Sequence, residues 1–420
     1  MGVGVPLALV AGGAYAAVVA LVRPNNIAVW LAFAGLVTAQ PIAGVYAAYF
    51  TAQRRYALAT LRVPFITGVA FVSALVLLSF WGSITAIAVA YSLGFCAQLV
   101  LLAVLARRLP AERGEPAASP GFRRILGPAG SVFLATLVGG QLIVLIERIL
   151  ASSLAAGSVT LLVNARGFVL VAAMAAQAIG SGVFPAASER FRELGREGLA
   201  DLALTAVRLA ALIALVSAAY VSICRRQLIE VVLQRGKFDA SDTAETARLI
   251  AIMAGALLGV SVGAVAGKAL FGVGRQRFVA VVSAAGVVFY IGAAVGLREA
   301  WGVDGLAAAF LVSAVATGTA LAVALAHDVG ISVRATVRNW VVIPVALAAV
   351  FALAAGGVWL AIGRPTEGVP AALATLLATG IAGLAALGAT VVAARTREYE
   401  LLRGALRARG LGRVAAAAGR

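Results

Sequence analysis

The chain has 420 residues, 62% of them hydrophobic and only 12% charged, with 34 Lys and Arg against 17 Asp and Glu. Soluble domains carry about 25% charged residues, so this composition, with a mean hydropathy of +1.02, excludes a soluble globule and describes an all-α polytopic membrane protein. The net charge of +17 does not point to nucleic acid, because no basic patch interleaved with stacking aromatics accompanies it.

In chain order, apolar stretches of about 20 residues predict twelve spans: 3–22, 27–50, 63–81, 84–105, 129–150, 159–183, 203–223, 246–271, 278–297, 305–326, 341–362 and 369–394. The first lacks a basic leader and is long enough to cross, so it reads as a span and not as a signal peptide. Two linkers break the pattern. Residues 106–124, ARRLPAERGEPAASPGFRR, are Pro-rich and basic, and 186–201 mix Arg with Glu; both read as exposed connections. Cys96 and Cys224 form no disulfide framework. His327 is the single histidine and cannot build a metal site alone.

Arginine sets the expected orientation. With the N-terminus inside, the inner connections and the tail hold about 22 basic residues against about 8 outside, the bias of the positive-inside rule. Both termini are therefore expected in the cytoplasm, with the Arg-rich tail near anionic lipid. One outer segment breaks the rule, with Arg225, Arg226, Arg235 and Lys237 after span 7. These cations read either as headgroup contacts or as a basic outer rim for an anionic ligand, with Arg235 and Lys237 as its candidates. Span 8 is expected to start near Asp242, read as an N-cap supported by Glu245 three positions on.

Ionisable residues inside spans 5 and 6 are the candidate site. Glu147 and Arg148 lie on span 5 and Arg166 on span 6, joined by a small-residue turn at Ala155, Ala156 and Gly157. A charge at the bilayer centre costs at least about 2.5 kcal/mol, so such groups face a partner or a watery cavity. Glu147 and Arg166 are about equally far from the turn, so they can meet. Two readings follow: Arg166 lines a cavity, or Glu147 and Arg148 anchor at the headgroups while Arg166 only neutralises Glu147. Gln141, Asn164 and Gln177 are polar neighbours on the same spans. On span 8, Gly255, Gly259, Gly263 and Gly267 recur every four residues as a close-packing face.

An internal repeat organises the whole. The piece QRRYALATL, a span, then WGSITAIAVAYSLG echoes GRQRFVAVV, a span, then WGVDGLAAAFLVS, about 220 residues and six spans later. An even offset preserves orientation and predicts two parallel repeats of six spans. Spans 5 to 10 supply one repeat, and spans 1 to 4 lack two helices of the other.

The runs ERILASSLAAGSVTLLVNARGF, VFPAASER, VVLQRGKFDASDTAETA and KALFGVGRQRF, with the WGVDGLAAA segment, resemble the MurJ (MviN) family of lipid II flippases, of the multidrug/oligosaccharidyl-lipid/polysaccharide exporter superfamily. The resemblance implies a 14-helix fold, two six-helix lobes around a cationic cavity plus two extra helices. This chain would then divide into first-lobe helices (1–105), a cytoplasmic linker (106–124), a second lobe (125–330), two additional helices (331–394) and a basic tail (395–420). The family's arginines on the first helices have no counterpart here, and its Ala-Asp-Arg triplet becomes Ala165-Arg166-Gly167.

The implied function is translocation of a lipid-linked peptidoglycan precursor, lipid II, across the cell inner membrane by alternating access, in the service of cell-wall biogenesis and cell shape. Substrate contacts would fall to Arg166, Glu147, Arg148, Asn164, Gln141 and Gln177. Partners would be the anionic lipid-linked substrate, membrane lipids and cell-wall synthesis proteins. The alternatives are an exporter of another lipid-linked oligosaccharide and a non-transporting scaffold. No enzyme is expected, since no paired acid and base, metal-spaced cluster or phosphate loop after a strand is present. No cofactor is expected either, and no residue pattern identifies a coupling ion or use of the membrane potential.

Overall fold

The structure, a computed structural model, describes residues 39, 42–46, 49, 50, 53, 55–81, 84–108, 143–362 and 368–395, apart from a few side chains within helices. The chain divides into two compact units, Met1–Ser119 and Pro120–Arg420. Every regular element among the described residues is a helix. Spans expected at 3–22 and most of 27–50, and the tail beyond 395, lie outside them.

In the first unit, α1 (Tyr56–Trp81) and α2 (Ile84–Arg108) form a helical hairpin. Gly94 lets them close: a Cβ there would lie 3.0 Å from the Ala70 Cβ. Phe50 and Leu102 are buried beside Tyr49, whose ring meets Phe50 edge-on at 5.7 Å.

The second unit holds α3 (143–152), α4 (Ser158–Ile223), α5 (Arg225–Val232), α6 (Ala240–Met253), α7 (Ala256–Gly272), α8 (Gln276–Trp301), α9 (Val303–Val329), α10 (Val333–Val337), a π-helical turn at Arg338–Val342, α11 (Ile343–Ile362) and α12 (Val369–Ala393). Six described helices are long and apolar enough to cross a membrane, or seven when the bent pair α6 and α7 counts as one crossing.

Three expectations change. The connection expected at 186–201 is helical: α4 runs through it and breaks only at Gly195, whose φ of 62° suits a residue without Cβ. Its inner face holds Ala187 and Leu199 buried, so the charges ride on the outside of a helix. The cap of α6 is Asp239, three residues before the expected Asp242. Its carboxylate accepts from the backbone of Ser241 and Asp242, and Asp242 returns a bond to the Asp239 N–H, so the capping-box spacing holds one turn earlier. These bonds, the Ser241 hydroxyl first, hold the Asp239 carboxyl below the usual range. Span 8 is also not straight, since α6 and α7 meet at 46° around Ala254 and Gly255.

Helix α7 is the packing centre, lying against α4 and α9. A Cβ on Gly259 would sit 2.2 Å from the Ala314 carbonyl oxygen, and one on Gly318 would sit 2.2 Å from the Gly259 oxygen. The backbones of α7 and α9 therefore touch, as small residues permit in lipid, where no hydrophobic drive between helices exists. Exposed ion pairs tie this region at its edges, Arg248 to Asp304 at 3.0 Å and Arg275 to Asp328 through two guanidinium nitrogens.

Candidate functional site

Helix α3 ends in a tight turn that brings α4 back beside it. Ser152 and Ser153 donate their hydroxyls to the Ile149 and Leu150 carbonyls, and Gly157, at φ 91°, starts α4. The turn falls where the small residues predict it, so Glu147 and Arg166 come together as a salt bridge. The Glu147 side chain is 3% exposed and that of Arg166 is 14%. Neither is a snorkelling anchor at those values, and both belong to the interior of the unit.

Two residues that sequence reasoning passes over complete the cluster. The Tyr290 hydroxyl, on α8, donates to the same Glu147 oxygen at 3.1 Å. The Phe310 ring, on α9, lies under the guanidinium of Arg166 with 4.6 Å to its centroid. Four helices thus converge on one ion pair: α3 gives the carboxylate, α4 the guanidinium, α8 a hydroxyl and α9 an aromatic face. The only sequence signal for Tyr290 is a hydroxyl-bearing ring midway along an apolar span, and Phe310 has none.

A cavity of about 270 Å³ adjoins the cluster, with Tyr290 and Phe310 in its wall. Gly259, Gly286 and Gly318 line it, with Ser313 and Thr317 on the α9 side. Ser313 spends its hydroxyl on the Gly286 carbonyl at 3.0 Å. One donor in the cluster is left over. The Arg166 Nε is buried and meets no acceptor among the described residues. An unsatisfied buried donor costs about 1–3 kcal/mol, and more for a charged group, so it marks a place where an acceptor would be welcome.

The other expected residues divide. Arg148 is exposed, and Asn164 is half-buried with no hydrogen bond to the pair among the described residues. Gln141 lies outside the described residues, and of Gln177 only the helical backbone lies within them. At the outer segment, Arg235 donates to the Val231 and Val232 carbonyls at 3.0 Å each, so it caps the end of α5, while Lys237 is exposed. Lys268 packs its stem against Gly180, where a Cβ would lie 3.2 Å from its Cδ.

Comparison with known proteins gives this arrangement a family. The family model described as lipid II flippase MurJ matches residues 30–379. No curated protein matches the chain significantly. Among solved structures, lipid II flippase MurJ in an inward closed conformation superposes with TM-score 0.63 at 11% identity, over 88% of this chain and 75% of that one. A MATE protein in complex with MaL6 gives TM-score 0.66 at 12% identity, over 78% of each chain. A MOP superfamily transporter from Pyrococcus furiosus gives 0.62 at 13%, over 78% of this chain and 77% of that one. At such identities the structures speak for the fold, and the family model speaks for descent. Helices long and apolar enough to cross a membrane and a family-model match over residues 30–379 together place the chain: it belongs to the lipid II flippase MurJ family.

Proposed function

We propose that the protein flips lipid II across the cytoplasmic membrane by alternating access, with both termini in the cytoplasm, and that Arg166 meets the pyrophosphate of the substrate. The supporting observation is the spare donor on a buried guanidinium. Arg166 gives one nitrogen to Glu147 and its face to Phe310, and its Nε remains for an acceptor. Lipid II carries a pyrophosphate and sugars that cannot cross hydrocarbon unaided, and a guanidinium is always charged and suited to phosphate. Glu147 and Tyr290 fix the guanidinium in place, which is the preorganisation such a contact needs. The exposed cations Arg148 and Lys237 belong in this reading to the approach of the anionic substrate, and enzymes that make or use lipid II are the expected partners.

The test is reconstitution of the full chain in liposomes with lipid II in one set and a lipid-linked oligosaccharide without the peptide in another. The proposal expects headgroup translocation of lipid II, lost on Arg166→Ala and impaired on Arg166→Lys, since an ammonium lacks the planar fork. Faster translocation of the other lipid would make the protein a different exporter. No translocation of either by a folded chain would make it a scaffold.

A further inference from the structure

The buried side chains of the second unit form two separate cores, set end to end along the same helices. The core around the Arg166 cluster contains Ala165 and Val169 of α4, Leu257 of α7, Tyr290 of α8 and Phe310 of α9. The other contains Val183 and Val207 of α4, Val262 of α7, Val279 of α8 and Leu321 of α9, with Trp340. Between them runs a belt without fully buried apolar side chains on three helices. On α8 it extends from Val279 to Tyr290, on α9 from Phe310 to Leu321, and on α7 from Leu257 to Val262. Eleven residues of helix are about 16 Å, so on α8 and α9 the belt is three turns deep. The returning arm of α4 is buried straight through this level, at Ala211, Leu212 and Ala214, and serves as a spine.

The belt holds space, one tight backbone contact and a helix break. The cavity of about 270 Å³ lies in it, with Ser283, Gly286 and Val287 of α8 and Thr317 and Gly318 of α9 in its wall. Helices α7 and α9 touch there through their backbones: beyond the Gly259 contact, a Cβ on Gly263 would lie 3.1 Å from the Gly318 Cα. Just beyond the belt, α6 and α7 meet at 46°. The Leu257 and Leu258 N–H groups reach only three residues back, to the Ala254 and Gly255 carbonyls at 3.1 and 3.4 Å, which is a 3₁₀ turn without a proline to force it. A second cavity, of about 380 Å³, lies beside the break, between Ala254 and Gly255, Ala218 of α4 and Ala348 of α11.

We infer that the second unit flexes at this belt, with the Arg166 core and the Trp340 core moving as two blocks about the contact of α7 with α9. Helix packing in lipid rests on van der Waals contact, and side chains that line a cavity forgo part of it, so the belt resists bending less than either core. Low local contact density is where segments open first. Two backbones in contact carry no interlocking side chains and can roll on one another, and the turn at Gly255 absorbs the change of angle at a helix end, as hinges do. Such a flex tilts the Arg166 cluster against the other block and changes the side to which it opens. The inference holds whichever lipid the protein carries, because the motion can be read without substrate.

The test places nitroxide pairs on the full chain in liposomes, in a Cys96→Ser/Cys224→Ala background. Glu245→Cys with Glu299→Cys lies within one block, and Glu245→Cys with His327→Cys spans the belt; all three positions are exposed. Glu245 is about 21 Å of helix from Gly259, so a flex of about 10° moves it about 4 Å. Electron–electron resonance is expected to give one narrow distance for the first pair and a distribution broader by about 4 Å for the second. Val287→Phe, which puts a ring into the belt cavity, is expected to narrow the second distribution to the width of the first. Val288→Phe, on a neighbouring side chain that is 70% exposed, is expected to leave it unchanged. Hydrogen exchange on the unsubstituted chain is expected to be faster over 280–289 and 311–320 than over 290–297 and 321–329, a readout that needs no variant to fold. Equal widths for the two pairs, an unchanged distribution in a folded Val287→Phe, or equal protection of belt and cores would each overturn the inference.

Discussion

The hairpin of α1 and α2 and the hairpin of α8 and α9 share a frame and differ in what it carries. Tyr56–Trp81 and Gln276–Trp301 are both 26 residues long and stand 220 residues apart at both ends (56 to 276, 81 to 301). Each ends in an exposed tryptophan. At the same offset Ala70 answers Tyr290 and Ala90 answers Phe310, and all four are buried. Where the small pair stands, Gly94 and Ala70 touch and the hairpin is closed. Where the large pair stands, a cavity adjoins the rings and an ion pair is held against them. The repeat sets which positions face inward; the side chains at those positions decide whether a site exists.

Breaking the charge pair should have the largest effect. Glu147→Ala leaves the Arg166 cation buried without its counter-charge, and the unfolding free energy should fall by about 3–5 kcal/mol, read as a lower midpoint in detergent. A smaller loss, of about 1–3 kcal/mol, is expected from Ala90→Phe, which puts the ring of the second hairpin into the closed first one. Unchanged stability there would mean that the first hairpin has room for a site after all. Tyr290→Phe removes a single hydrogen bond to a carboxylate and should cost about 1.5 kcal/mol while leaving the hairpin itself intact. A loss as large as that of Glu147→Ala would mean that the Tyr290 hydroxyl, and not the ion pair alone, holds the cluster.

Part of this site was legible before any fold was known. Glu147 and Arg166 stand at near-equal distances from a turn of small residues, and charges in apolar runs are costly enough to demand partners. Their meeting follows from helix geometry alone. Tyr290 and Phe310 were not legible, because nothing local distinguishes a ring that touches a charge 143 residues away, as Tyr290 does, from one that only fills a core. The cap of α6 slipped by one turn because Asp239, Asp242 and Glu245 repeat the same three-residue spacing, and only the tertiary course of the chain selects among them. The four-residue glycine period was readable, since its only use in lipid is close approach, and Gly259 against Ala314 realises it.

The central claim, that Arg166 serves the substrate and not only Glu147, meets its most direct test in the double variant Glu147→Ala/Arg166→Ala. Removing both charges together relieves the uncompensated charge left by either single change, so stability should return close to wild type. The account predicts that this folded variant translocates no lipid II in liposomes, because the guanidinium is gone. A double variant that regains stability and translocation together would contradict the account and leave the pair as a structural tie between α3 and α4.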